Sequence, residues 1–105
     1  MTKIKFFTDK AALKGFSVSG HSSVDCEDTE GRIVCAAVSS AVYMTANTLT
    51  DVIREKCEIE ESDALFSLLV NSEKSETQAV LKGLKLHFEG LEEQYPKRIK
   101  IITEV

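Results

Sequence analysis

The chain has 105 residues, 43% apolar and 29% charged, enough for one globular domain that buries roughly two-thirds of its unfolded surface without covalent staples. A net charge of −4 argues against a nucleic-acid binder, because neutralising phosphates needs a basic surface and the small cluster Lys97, Arg98, Lys100 does not provide one. No uninterrupted run of about 18 apolar residues occurs, so no membrane span is expected, and residues 1–7 lack the apolar core of a signal peptide, which points to the cytoplasm.

Residues 3–8 alternate as a strand with Ile4 and Phe6 on one face, and Asp9 and Lys10 begin a short connection. Residues 15–19 alternate again, Phe16 and Val18 against Ser17 and Ser19, and Gly20 ends this second strand. His21 therefore follows a strand end, where loops commonly carry function. Residues 21–31 hold Asp25, Glu27, Asp28 and Glu30 with almost nothing apolar, and read as an exposed, weakly anchored loop.

From Ile33 the period changes to three and four residues. Val34, Val38, Ala41, Thr45, Leu49 and Val52, widened by Val42 and Ile53, predict an amphipathic helix ending near Lys56. Its N-cap is not evident, Gly31 being the nearest tolerated residue. A short strand over 57–60 with Cys57 and Ile59 inward, a turn at 61–63 and a strand over 64–70 with Phe66, Leu68 and Val70 on one face come next.

The run Ser75-Glu76-Thr77-Gln78 fits a capping box and starts a second helix over 76–94, with Leu84, Phe88, Leu91 and Tyr95 on its buried side. Pro96 stops it. Residues 98–105 alternate as a final strand. The order ββαββαβ predicts an α+β domain over residues 1–105, with two helices packed on one face of a five-stranded mixed sheet. Gly83 and Gly90, seven residues apart on one helical face, predict close approach to the alanine-rich first helix or to a second subunit.

Three cysteines, Cys26, Cys35 and Cys57, are an odd number without CxxC spacing, which disfavours a disulfide framework and a structural zinc site. No cofactor or metal is expected. Cys35 falls in the first turn of the predicted helix, where unpaired N–H groups favour a thiolate and can receive an oxyanion. Ser39, four residues on, shares that helical face. Read alone, Cys35 is equally a small buried residue, and His21 a surface histidine. Together they form a nucleophile and a base. Asp25, Glu27, Asp28 and Glu30 are either a solvated run or an attraction for a basic substrate. Cys26 in the loop is an exposed thiol, or a partner for a transient bridge to Cys35.

Gly20-His21, Gly31 and the run Ile33-Val34-Cys35-Ala36-Ala37-Val38-Ser39 resemble the signature of the ribosomal-processing cysteine protease family, Prp. Gly83-Leu84 and Glu93-Gln94-Tyr95-Pro96 are similar to its C-terminal half. The resemblance implies a cytoplasmic, homodimeric endopeptidase that removes a short N-terminal extension, ending in an aromatic-rich site, from a large-subunit ribosomal protein. It implies Cys35 as nucleophile, His21 as general base and acid, and the helix N-terminus as support for the oxyanion. Ser39, Gly20, Gly31, Asp28 and Glu30 are implied as binding or supporting residues. The acidic loop is implied as a lid drawn to a basic substrate. Three features depart from the family: Arg32 stands where an Asp is usual, the His-to-Cys interval is about two residues longer, and Ser22-Ser23 replace smaller residues. Two alternatives accompany this reading: a non-catalytic, ribosome-associated module that holds a basic protein, and a redox-sensing thiol protein using Cys26 and Cys35.

Overall fold

A computed structural model describes residues 1–21 and 27–104. The expectations that concern Ser22, Ser23, Asp25 and Cys26 lie outside the described residues.

Two strands, β1 (Thr2–Asp9) and β2 (Ala12–Ser19), form an antiparallel hairpin. It turns through Lys10 and Ala11, both at positive φ (51° and 71°), a backbone twist that matches flanking strands. β2 thus begins three residues before the expected start. The alternation is hidden there because Phe7 pairs with Gly15 and Thr8 with Leu13, so Lys14 bulges out. Gly15 has φ +150°, and a Cβ on it would lie 2.0 Å from the Leu68 carbonyl oxygen. Only glycine lets β2 and the strand beside it pair at that point.

The remaining strands are β3 (Cys57–Ser62), β4 (Leu65–Val70) and β5 (Ile99–Glu104), and the sheet order is β3-β4-β2-β1-β5. All pairs are antiparallel except β1 with β5, so the sheet is mixed as expected. Ile4, Phe6, Phe16, Phe66, Leu68 and Ile99 are buried on one face, where the rings of Phe6, Phe16 and Phe66 follow one another at centroid distances of 6.1 and 6.0 Å. Both helices cover that face. Phe88 of α2 (Ser75–Gln94) reaches Phe6 at 6.3 Å, and Tyr43 of α1 (Thr29–Asn47) meets Phe66 edge-on at 5.9 Å. Ile59, expected inward, is 44% exposed, because β3 is the edge strand.

Helix α1 starts four residues before Ile33. Asp28 is its N-cap, its carboxylate accepting from the Gly31 N–H at 3.1 Å. The helix continues as a π-helical turn, Thr48–Val52, in which the Ile53 N–H donates to the Thr48 carbonyl at 2.9 Å. The wider turn rotates the stripe, so Leu49 stays buried while Val52, expected in the core, is 76% exposed. Arg54, at φ 63°, ends the segment. Thr29–Val52 is 24 residues long and holds an 18-residue window with a mean hydropathy of 1.3, long and apolar enough to cross a membrane by length and composition alone. Here Val34, Val38, Val42 and Leu49 pack against the sheet, as in the core helix of a globular domain.

The capping box expected at Ser75 does not form. Ser75 lies inside α2, Lys74 is its N-cap without a side-chain bond, and Ser75 donates to the neighbouring Glu76. Thr77 and Gln78 are drawn inward instead. Gln78 makes paired bonds to both backbone groups of Leu13 at 2.8 Å, and Thr77 donates to the buried Glu55 carboxylate at 2.7 Å. The Thr77 hydroxyl is the main cause that holds Glu55 below the ordinary carboxylate range. These bonds dock the start of α2 onto β2 and onto the segment after α1.

The packing reason expected for the helical glycines is not met within the chain, since a Cβ on Gly83 or Gly90 would meet nothing within 4 Å. Gly83→Ala is therefore expected to raise stability by about 0.5–1 kcal/mol. Gly15→Ala is expected to lower it by about 3 kcal/mol. Urea unfolding of the two variants checks both signs.

Candidate active site

The cleft that matters opens between α1 and the ends of the strands. The second strand ends at Gly20, whose φ of +83° is left-handed and whose Cβ, if present, would lie 2.5 Å from the Met1 carbonyl oxygen. Its N–H donates to the Ala64 carbonyl at 3.0 Å, and the Met1 amino group donates to the His21 carbonyl at 2.8 Å. The start of β1 and the β3–β4 turn thus hold this reversal from both sides. Ala64 itself sits at φ 59° in that turn.

Along α1, Cys35, Ser39 and Tyr43 recur every four residues and so lie on one face. With His21, Gly20, Glu61, Ser62, Leu65 and Phe66 they line a cavity of about 160 Å³. Four of the predicted site residues, His21, Cys35, Ser39 and Gly20, are therefore brought together from separate elements. Cys35 is a half-buried thiol. His21 is exposed.

Gly31, Asp28 and Glu30 are not in the cleft lining. Gly31 is buried in the first turn of α1. The Arg98 guanidinium grips Asp28 with two bonds, 2.5 and 2.8 Å, and reaches Glu30 at 3.2 Å. The two carboxylates thus fasten the helix start to the strand that follows α2, rather than standing as open charge for a basic substrate. Asp28 is the stronger tie: its side chain is 13% exposed, that of Glu30 57%. Arg32 is exposed on α1.

The earlier helix start also moves Cys35 out of the first turn. It is the seventh helical residue, beyond the N–H groups that a helix leaves unpaired and beyond the reach of the end dipole. The expected support from the helix N-terminus is corrected accordingly. Ser39, exposed on the cleft one turn further on, is the donor that the helix offers at this level.

Sequence reasoning missed Tyr43 and Glu61. The Tyr43 hydroxyl donates to the Glu61 carboxylate, joining α1 to β3 across the cleft. That hydrogen bond, with the negative charge behind it, pushes the Tyr43 hydroxyl above its ordinary value, so it remains a donor at neutral pH. The available signal was the four-residue spacing from Cys35 through Ser39 to Tyr43; nothing local pointed to Glu61.

Among the described residues, the second thiol and the second imidazole stand apart from the cleft. Cys57 is half-buried on β3, where burial, and then Glu55, push its thiol up. His87 lines the groove between α1 and α2. Among the described residues, no group of three or more His, Cys, Asp or Glu is placed to hold a metal ion.

An α+β layer whose cleft presents a thiol and an imidazole holds the two groups that thiol catalysis uses. Residues 1–100 match the family model described as cysteine protease Prp, and the chain belongs to that family and is a cysteine protease. No curated protein matches it at a significant level.

Among solved structures, the chain is similar to the essential ribosomal processing protease Prp from S. aureus in complex with a covalently linked product peptide. The TM-score is 0.87 at 20% identity, covering 99% of this chain and 100% of that one. The same S. aureus protease in complex with a substrate peptide gives 0.88 at 18% identity, again over 99% and 100%. A protein from Streptococcus mutans gives 0.80 at 21% identity, over 99% of this chain and 94% of that one. These likenesses establish the fold, and the family model establishes the class.

The two acids of the helix start are expected to differ in effect. Asp28→Ala, which removes both the N-cap and the paired guanidinium contact, is expected to lower stability by about 1–2 kcal/mol. Glu30→Ala is expected to lower it much less. Chemical unfolding of both variants checks the order.

Proposed function

We propose that this chain is an endopeptidase that removes a short N-terminal extension from a large-subunit ribosomal protein, with Cys35 as nucleophile and His21 as general base. The observation that carries the reading is that Cys35 on α1 and His21 at the end of β2 line one cleft. The family match and the S. aureus protease captured with substrate and product peptides support it.

In this mechanism His21 takes the Cys35 proton as sulfur attacks the scissile carbonyl, and returns it to the leaving amine. Water then hydrolyses the thioester, and His21 again serves as base. The Ser39 hydroxyl, rather than the end of the helix, donates to the tetrahedral oxygen. Gly20 serves by fixing the backbone that presents His21, and Gly31, Asp28 and Glu30 serve by fixing the start of α1. The reading includes a cytoplasmic setting, which keeps thiols reduced. It also includes a homodimer, in which a second copy would cover the apolar groove between α1 and α2.

The test is cleavage of a peptide spanning the extension and start of the ribosomal protein from the same organism. Cys35→Ala is expected to abolish cleavage, and His21→Ala to lower kcat by about 10²–10⁴. Undiminished cleavage by both variants contradicts the proposal. Peptide binding by the wild type without turnover would favour the non-catalytic holding module instead.

A further inference from the structure

The cleft extends beyond the thiol and the imidazole to a second polar feature. Tyr43 lies eight residues after Cys35 on the same helical face, about 12 Å further along the axis. Its hydroxyl donates to Glu61 on β3, and Glu61 is the one carboxylate among the described residues that line the cavity. No cation pairs with it among the described residues. Tyr43 is 48% exposed and its ring packs edge-on against Phe66, which pairs with Glu61 across β3 and β4. An acidic group held at a fixed place and fronted by an aromatic ring suits a long side chain with an apolar stem and a positive head.

We propose that Glu61 and Tyr43 form a specificity subsite for a lysine or arginine side chain of the peptide substrate, remote from the scissile bond. An extended peptide advances about 3.3 Å per residue, so 12 Å places the basic residue about three or four positions from the bond that Cys35 attacks. The stem lies along the Tyr43 ring and the head meets the Glu61 carboxylate, which the phenol hydroxyl holds in position. The inference rests on the proteolytic reading for its register to the scissile bond, but not for the binding of the basic side chain.

The test uses a random peptide library with two readouts. In the first, the wild-type chain and Glu61→Gln digest the library, and the cleaved bonds are sequenced by mass spectrometry. Lysine and arginine are expected to be enriched roughly two- to five-fold at one position, three or four residues from the cut, as suits an exposed ion pair, and less so at high salt. Glu61→Gln is expected to lose the enrichment, cutting peptides with basic and neutral residues at that position alike, and Tyr43→Phe, which keeps the ring, to narrow it. An identical profile in wild type and Glu61→Gln overturns the subsite.

In the second, immobilised Cys35→Ala protein, with and without Glu61→Gln, captures intact library peptides. Basic enrichment that depends on Glu61 supports the subsite even if the wild type cuts nothing, a result that would defeat the proteolytic reading alone. Equal capture of basic and neutral peptides overturns it.

Discussion

The reversal at Gly20 is the constraint on which the site depends. Its left-handed backbone, pressed against the Met1 carbonyl and bonded to Ala64, turns the chain out of β2 where no residue with a side chain fits. His21 comes next and its carbonyl is held by the Met1 amino group, so the imidazole begins from a fixed point beside α1. The start of β1 and the β3–β4 turn both contribute to that point. A loop residue is thus placed by the sheet, in the way that functional loops are carried by rigid scaffolds.

The opposite wall is fixed by a different device. Asp28 caps α1 and is gripped by Arg98 from the approach to β5, so the helix that carries Cys35, Ser39 and Tyr43 is tied to the far edge of the sheet. The two carboxylates shortly before Cys35 in sequence therefore hold the helix start. Among the described residues, the negative charge of the cleft comes from Glu61, which is distant in sequence and reaches the cleft through the β3–β4 hairpin. The same shift in helix start leaves Cys35 in the second turn, with Ser39 one turn further along the same cleft.

What was legible in the residues was whatever alternation and spacing encode locally. Ile4 and Phe6, Phe16, and Phe66, Leu68 and Val70 alternate plainly and all reach the core, which made the strand order and the layered fold readable. His21 stood out because it follows a strand end and Cys35 because it sits in the run that opens the helical period, and the two line one cleft. The helix start was not, because Asp28 is one acid in an acidic run and its capping role shows only when Arg98 arrives from seventy residues away. The false capping box at Ser75 has the same origin: Thr77 and Gln78 answer to Glu55 and Leu13, and such tertiary bonds override a local motif. Val52 misled through the π-helical turn, which no periodicity announces.

The central claim is that Cys35 is the nucleophile and His21 activates it. The most direct measurement is the rate at which iodoacetamide alkylates each cysteine at neutral pH, mapped by mass spectrometry, in the wild type and in His21→Ala. The account predicts that Cys35 reacts faster than Cys57 and faster than a free thiol, and that His21→Ala slows Cys35 alone. A Cys35 that reacts no faster than a free thiol, at a rate unchanged by His21→Ala, would contradict it.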